Sequence, residues 1–395
     1  MPAARSLRSE IRNLLQYGDL TFRDFMELAL YHPEFGYYAK GLNPVGKGGD
    51  YVTAPSLSPV FSFAIANLVR EFLRRCEGGV STIADVGAGD GGLIRDLARH
   101  VSDSGARFFG VDRELGRVEP ASRRAAESSR RPVEGSPLDD RTTGRLDDSV
   151  EFVRTIDELP KPGSHLLFSN ELFDAFPFAR LVQRGKHLHE LWVSERDGEL
   201  DWSEHEAPAP YDDYFTARGI ELSDGQFADI TLEWELFYED LVRLVNRGLI
   251  VTIDYGYAQE KLFHSRIRRF GTAASYSAQR VTRDLLSDPG ERDLTAHINF
   301  TDLQRAGERH GARTLFFDSL AKFLLTLGVT EHELFRPVQD VGIESVQEGV
   351  DLLEARENAR RLILPDGIGE ELRVLVQEQG MGSESWSFER NLFAR

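Results

Sequence analysis

A short strand that passes into a helix through a glycine-rich loop constrains the fold of this chain most. The residues IADV at 83–86, which read as the end of a buried strand, are followed by GAGDGG at 87–92 and then by an amphipathic run. Residues without a Cβ atom allow a sharp backbone turn and a close approach to a ligand. The pattern therefore predicts the first strand-loop-helix unit of an open α/β sheet, with a ligand at the loop.

Acidic residues around this loop distinguish between two classes of ligand. Asp112 follows Gly92 by twenty residues, which together with the glycine spacing also satisfies the dinucleotide fingerprint. A nicotinamide-dependent enzyme and a purely structural turn therefore remain alternatives. Asp85 at the strand end and Asp90 within the loop would repel a pyrophosphate, but they would attract the cationic amino-acid end of S-adenosylmethionine. The loop thus favours a methyltransferase.

The remaining pattern predicts an α/β fold with a parallel sheet and helices on both faces. Short apolar runs alternate with helical segments from residue 81, and β-hairpins at 178–204 interrupt the order after the fourth strand. Thr21 is expected to cap an N-terminal helix that ends at Tyr31, before His32-Pro33. Predicted strands are 82–86, 107–112, 150–154, 165–170, 248–254, 313–318 and 385–392; predicted helices are 59–75, 92–100, 114–128 and 232–246, the last capped by Arg247-Gly248.

Composition excludes several classes of function. The net charge of −18 disfavours a nucleic-acid substrate, because such a surface repels phosphate backbones. No apolar run reaches the ~20 residues that a membrane span requires, so no membrane association is expected. Cys76 is the sole cysteine, and no spacing of His and carboxylates indicates a metal, so none is expected. We expect a cytoplasmic location, since the N-terminus lacks an apolar signal core.

Polar residues after the fourth and fifth predicted strands are candidates for catalysis. Asn170, Glu171 and Asp174 close the fourth strand, where side chains of an open α/β sheet face the ligand, although they could merely cap the following turn. Asp254 ends the fifth strand at the same edge. His297 is a further candidate, and a base of this kind matters most if the methyl acceptor is a hydroxyl or amine.

Six segments in order resemble one family, the MidA-type S-adenosylmethionine-dependent methyltransferases, whose mitochondrial members help to assemble respiratory complex I. The resemblance covers about residues 20–330. The matching text is LALYHP at 28–33 with GYY at 36–38, GDYVTAP at 49–55, the glycine loop, NELFDAFP at 170–177, IDYG at 253–256 and DLTAHINF at 293–300.

The resemblance implies a class I methyltransferase fold, which is Rossmann-like with a mostly parallel seven-stranded sheet. It implies a lid from residues 1–80, a cofactor-binding domain at 81–330 with an insertion at about 178–230, and a segment 331–395 that completes that domain. By the resemblance, Gly87 and Gly89 would line S-adenosylmethionine and Asp112 would hold its ribose. Asn170, Glu171 and Asp174 would lie at the methyl-transfer site, and the loop of Thr53, a further cofactor-binding candidate, would close over that site. The residues themselves add Asp85 to the cofactor site and His297 to the catalytic candidates.

The methyl acceptor is the least determined part of the prediction. In the mitochondrial members it is an arginine side chain of a partner protein, but this chain has Ser56, Ala274 and Gln279 where the family has glutamate, arginine and histidine. A protein substrate, a small-molecule acceptor and a non-catalytic assembly factor that keeps the fold therefore stay open. A homodimer is compatible with the sequence, which does not fix the oligomeric state.

Overall fold

The strands come from throughout the chain. The computed structural model describes residues 6–39, 53–76, 80–113, 149–161, 163–277, 280–337, 345–382, 386 and 388. In chain order the strands are β1 (Leu20–Thr21), β2 (Ser81–Val86), β3 (Arg107–Val111), β4 (Val150–Val153), β5 (Ser164–Asn170), β6 (Ala179–Arg184), β7 (His187–Arg196), β8 (Glu199–Glu206), β9 (Phe227–Ile230), β10 (Arg247–Tyr257), β11 (Ala274–Ser277), β12 (Arg280–Thr282), β13 (Asp293–Thr295), β14 (Ile298–Asn299), β15 (Arg313–Ser319) and β16 (Leu372–Gln379).

The helices connect these strands and cover the faces of the sheets. They are α1 (Leu7–Leu15), α2 (Phe22–Tyr31), α3 (Ala54–Leu57), α4 (Pro59–Arg75), α5 (Gly92–His100), α6 (Ala209–Arg218), α7 (Glu233–Leu244), α8 (Gln259–Leu262), α9 (Phe300–Arg309), α10 (Leu320–Thr326), α11 (Val346–Arg361) and α12 (Ile368–Glu371). As predicted, Thr21 caps α2: its side chain accepts a hydrogen bond from the Asp24 N–H, and the helix ends at Tyr31.

A mostly parallel sheet forms the centre of the fold. Among the described residues, seven strands lie side by side in the order β15-β16-β10-β5-β2-β3-β4, and the short β14 pairs with the end of β10. The strands from β10 to β4 are mutually parallel, whereas β16 is antiparallel to both of its neighbours. This arrangement is the class I methyltransferase fold that was predicted, and it gathers the carboxyl ends of β2, β5 and β10 at one edge.

Alternating side chains of the sheet enter two separate hydrophobic cores. Ile83 faces a core with α4, α5 and α10, and its neighbour Ala84 faces the other core, which contains Trp234 and Tyr238 of α7 and Phe300 of α9. Because strands with both faces covered must be apolar on both faces, β2 is buried along its whole length. The sheet edge that carries Asp85 is thereby held rigidly from two sides.

The boundaries of the predicted elements are mostly confirmed, with one error. Predicted strands at 82–86, 107–112, 150–154, 165–170, 248–254 and 313–318 correspond to β2, β3, β4, β5, β10 and β15. The proposed glycine cap of α7 is wrong, because the helix ends at Leu244 and the residue that caps it, Val245, has extended backbone. Gly248 instead lies inside β10, where a Cβ atom would be 1.8 Å from the His165 carbonyl oxygen.

Two predictions fall largely outside the described residues. The helix at 114–128 lies wholly outside them, and of the strand at 385–392 only Trp386 and Phe388 are described. Strand β16, which the sequence analysis did not identify, completes the described sheet beside β10.

Two antiparallel sheets lie beside the central one. The hairpins predicted at 178–204 are confirmed: β6, β7 and β8 pair in succession, with β1 and β9 at the sides of β7 and β6. Residues of α1 and α2 share a hydrophobic core with Phe178, Val193 and Leu294. The second sheet has three short strands in the order β12-β11-β13.

Candidate functional site

After β2, the glycine loop adopts a backbone conformation that residues with side chains rarely adopt. Gly87, Gly89 and Gly91 all have positive φ, at 81°, 56° and 74°. The Gly87 N–H donates to the Val111 carbonyl oxygen at 2.8 Å, which fixes the loop to the end of β3. Apart from its own chain neighbours, no heavy atom of the described residues lies within 4 Å of a Cβ atom built on Gly89, so the loop presents bare backbone at that point. Such a loop suits a ligand that contacts the main chain.

Three carboxylates surround this loop, as predicted, but they are held differently. Asp112 Oδ2 accepts the Gly89 N–H at 2.9 Å, and Asp90 Oδ1 accepts the Gly92 N–H at 2.8 Å at the start of α5. Asp85 is buried, and burial together with the charges of Asp112 and Asp90 raises its pKa to about 7. A cation bound nearby would favour the ionised form of Asp85.

The loop after β5 forms a second acidic group beside the first. Glu171 has a positive φ of 51°, unusual for a residue with a side chain, and its N–H donates to the Ile253 carbonyl oxygen at 2.8 Å. The Asn170 side chain donates to Glu171 Oε1 at 3.0 Å, and the buried Asn170 Oδ1 has no hydrogen-bond partner among the described residues. Burial raises the pKa of Glu171 to about 8.

Asp254 holds this loop in place from the end of β10. Its Oδ2 accepts the backbone N–H groups of Leu172 and Phe173 at 3.2 and 2.8 Å, and its Oδ1 accepts the N–H of Tyr255. Burial nevertheless raises the pKa of Asp254 to about 7. Because its oxygens already accept main-chain donors, Asp254 positions the loop and supports the other acids.

Asp174 and Asp293 complete a group that we call the acidic cluster, namely Glu171, Asp174, Asp254 and Asp293. Burial and the other three carboxylates raise the pKa of Asp174 well above its ordinary value. Asp293, which the sequence analysis did not single out, is buried and accepts the Tyr38 hydroxyl at 3.0 Å. The only signal for it was its place in the same segment as His297.

Aromatic rings and His297 border the acidic cluster. Burial and the charges of Glu171 and Asp174 raise the pKa of Tyr255, and burial and the charge of Asp174 raise the pKa of Tyr276. The ring of His297 is parallel to that of Tyr255, with centroids 6.2 Å apart, and its Nδ1 has no hydrogen-bond partner among the described residues. Burial and nearby cations lower the pKa of His297 to about 4.

Helix α3 connects the two parts of the site. The Ala54 N–H hydrogen bonds to the Glu171 carboxylate, and α3 lies against α5, which begins at the glycine loop. Thr53 stands at the N-terminal cap of α3, and its hydroxyl bonds to the exposed Ser56. The structure therefore places Thr53 at the junction between the glycine loop and the acidic cluster.

Gly87 and Leu172 bring the two parts into direct contact, because a Cβ atom on Gly87 would be 2.8 Å from Leu172 Cδ1. Among the described residues, no group of three or more His, Cys, Asp or Glu is arranged to hold a metal ion. None of the described helices is both long and apolar enough to span a bilayer. The candidate site therefore lies along one edge of the central sheet, with the exposed backbone of the glycine loop on one side and the acidic cluster on the other.

Comparison with known proteins identifies the same region. Residues 64–317 match a family model described as "Putative S-adenosyl-L-methionine-dependent methyltransferase". A relative named "Protein arginine methyltransferase NDUFAF7 homolog, mitochondrial" from Caenorhabditis elegans is 23% identical over 393 residues, covering 94% of this chain and 83% of the relative. The Bos taurus protein arginine methyltransferase NDUFAF7, mitochondrial, is 24% identical over 318 residues, covering 76% and 68%.

A solved structure agrees over nearly the full length. A protein from Burkholderia thailandensis that is described as a "likely methyl transferase" and was crystallised with S-adenosyl-homocysteine is 26% identical and superimposes with a TM-score of 0.79. The alignment covers 98% of this chain and 94% of the bacterial one. The glycine loop, the acidic cluster and His297 all lie within the part of the chain that the family model matches.

Proposed function

The chain belongs to this family of S-adenosyl-L-methionine-dependent methyltransferases, and from that premise we propose that its methyl acceptor is the guanidinium of an arginine in a partner protein. The observation that carries the proposal is the acidic cluster beside the glycine loop. Four carboxylates converge where an acceptor would approach, and burial raises the pKa of three of them, Glu171, Asp174 and Asp254. The names of the two relatives support the same acceptor.

The residues around the glycine loop fit the cofactor. Gly89 offers open main chain, and the acceptor oxygens of Asp112 suit ribose hydroxyls. Asp85 is a buried carboxylate next to two others, a set that stabilises a positively charged ligand and opposes a pyrophosphate. When bound, S-adenosylmethionine supplies a methyl group on a sulfonium. Asp85, Gly87, Gly89 and Asp112 would hold it, and Thr53 would contact it from α3.

Glu171 and Asp174 are the residues that we propose to bind the guanidinium. Carboxylates bind guanidinium groups through paired, charge-assisted hydrogen bonds, which orient the acceptor nitrogen. Alignment of donor and acceptor is a large part of catalysis for an in-line displacement. The Glu171 carboxylate, fixed by Asn170 and by the Ala54 N–H, would accept the proton that the guanidinium nitrogen loses.

A hydroxyl or amine of a small molecule is the second candidate acceptor, and His297 favours it. Its neutral ring has a buried Nδ1 that no described residue hydrogen bonds. A neutral imidazole can remove a proton from a hydroxyl, whereas a guanidinium is better held by carboxylates. Identification of the methylated group, a guanidinium or a hydroxyl or amine, therefore distinguishes the two candidate functions.

Two further expectations stay proposals. The relatives are named mitochondrial, and no finding supports the cytoplasmic location that we inferred from the sequence. Homodimer formation likewise remains a prediction. We propose a protein partner, and size-exclusion chromatography with light scattering would determine the oligomeric state.

Calorimetry with S-adenosylmethionine and a methyl-transfer assay together test the proposed function. The wild-type chain should bind the cofactor, and Asp85→Ala should weaken that binding. With labelled cofactor, arginine-containing peptides should acquire methyl groups that mass spectrometry locates on the guanidinium. Glu171→Gln should abolish this product yet leave cofactor binding unchanged. Methylation of matched lysine peptides or of a small molecule instead would contradict the arginine assignment.

A further inference from the structure

In one segment of this acidic chain, all the charged residues are basic. Between positions 261 and 283 there are six lysines and arginines and no aspartate or glutamate, although the whole chain has 65 acidic residues and a net charge of −18. We call the six residues the basic segment: Lys261, Arg266, Arg268, Arg269, Arg280 and Arg283. So large a local excess of one charge indicates a surface that attracts the opposite charge.

The cationic side chains of the basic segment form no ion pairs with other described residues. Within the described ranges, none of the six forms an ion pair, while arginines elsewhere regularly do, such as Arg292 with Asp288. Lys261 and Arg268 instead lie over the ring of Tyr257, at 4.0 and 4.7 Å from its centroid. Most of the segment is exposed, so its charges are available to a partner.

Exposed apolar side chains lie among these cations. Ile267 is 63% exposed, Phe270 54% and Val281 62%. Arg283 lies over the ring of Phe270 at 5.5 Å, which joins β12 to the loop that carries Ile267. The result is one mixed surface, basic and apolar, that suits a polypeptide with acidic and apolar side chains better than a purely charged ligand.

The same surface includes a strand edge that leads towards the acidic cluster. In the described part of the chain the outer edge of β12 pairs with no strand, and across the sheet Val281, Tyr276 and Asp293 lie directly opposite one another. Residues opposite one another in adjacent strands share a face. With strands about 4.8 Å apart, a polypeptide added to β12 would lie about 15 Å from the strand of Asp293.

We propose that the basic segment and the β12 edge dock an extended acidic segment of the methyl-accepting protein. The proposal rests on the proposed function, because it names a recognition surface for the same substrate. The docked segment would add a strand to β12, a known mode of peptide binding in which the main chain gives affinity and the side chains give specificity. The segment's carboxylates would contact Arg280 and Arg283, and a neighbouring stretch would bring the target arginine to Asp293.

Two matched peptides test this docking by fluorescence anisotropy with the full-length chain. One carries Glu, Asp, Leu and Val around a central arginine, and the other replaces every acid by lysine. We expect the acidic peptide to bind about tenfold more tightly and to weaken as salt is raised. The double variant Arg280→Glu/Arg283→Glu should remove or reverse this preference. Arg360→Glu, an exposed change on α11, is the control and should leave it unchanged.

The outcomes separate docking from catalysis. Equal binding of the two peptides, or a preference that survives the double variant, would overturn the proposal, as would tighter binding of single-stranded RNA than of the acidic peptide. Glu171→Gln removes a carboxylate that would hold the central arginine of both peptides, so it should weaken both to the same extent and keep the preference for the acidic peptide. If the preference holds but no arginine is ever methylated, the proposed function fails while the docking surface stands.

Discussion

Leu172 lies against the bare α-carbon of Gly87, so that a Cβ atom there would be 2.8 Å from the leucine Cδ1. This contact joins the loop after β2 to the loop after β5, and with them the two groups of carboxylates. With the methyl donor at the first loop and the acceptor at the second, as we propose, the two reactants would therefore be neighbours. Holding two reactants close and aligned removes much of the entropic cost of their reaction.

Gly87→Val tests the importance of this contact. The new side chain would overlap Leu172 and would occupy a φ of 81°, so we expect loss of cofactor binding in calorimetry and a lower melting temperature. Gly105→Ala is the control: its φ of 69° imposes a similar backbone cost of about 1–2 kcal/mol, but a Cβ atom there meets no described residue within 4 Å beyond its chain neighbours. Unchanged cofactor affinity in Gly87→Val would contradict the placement of the ligand at this loop.

The raised pKa of Glu171 makes stability depend on pH. Burial raises this pKa from 4.5 to about 8, so between these values the folded chain binds more protons than the unfolded chain. The free energy of unfolding contributed by Glu171 is therefore fully present below about pH 4.5 and falls as the pH rises towards 8. Urea unfolding across this range should show a smaller decline in Glu171→Gln.

Glu357→Gln, an exposed change on α11, is the control for this experiment and should decline with pH as the wild-type chain does. A steeper decline in Glu171→Gln than in the wild-type chain would show that burial does not suppress ionisation of Glu171. Because a cation favours the ionised carboxylate, a bound arginine peptide should also release a proton, which calorimetry in buffers of different ionisation enthalpy measures.

The sequence predicted the central sheet well because its signals are local. An apolar run, a glycine loop or a capping residue such as Thr21 influences only the backbone of its near neighbours in sequence. These signals were enough to predict β2, α5 and the start of α2. The contributions of Ala54 and Asp293 could not be predicted from residues alone. Asp293 meets Glu171 only through pairing of the three-stranded sheet, whose strands of three or four residues are too short for a periodic pattern.

Strand β16 was missed for a related reason. Its residues alternate weakly and include Arg373, Gln377 and Glu378, so the segment does not read as a central strand. Tertiary partners satisfy these groups: Tyr238 donates to Gln377, and Arg313 pairs with Glu378. Such long-range pairs are invisible in a single sequence, whereas they determine which strand completes the sheet.

Asp229 is expected to position one wall of the site from the neighbouring sheet. It pairs with Arg180 at 2.6 Å and accepts the N–H groups of Thr272 and Ala273, and the Thr272 hydroxyl in turn accepts the N–H of His297. Asp229→Asn should lower the free energy of unfolding by about 3–5 kcal/mol, because it leaves Arg180 buried without its counter-charge. Urea unfolding measures this, and Asp213→Asn, exposed on α6, should remain within about 0.5 kcal/mol.

The two candidate acceptors predict different effects of replacing His297. Burial lowers its pKa to about 4, so the ring is neutral from pH 6 to 9, and its loss should not shift the pH profile of methyl transfer. If the acceptor is arginine, His297→Gln removes ring packing against Tyr255 and Tyr257 but no catalytic group, and kcat should fall by less than about tenfold. A general base for a hydroxyl contributes about 10²–10⁴-fold, so a fall of that size would favour the small-molecule acceptor. His187→Gln, exposed at the start of β7, controls for the loss of an imidazole distant from the acidic cluster and should leave kcat unchanged.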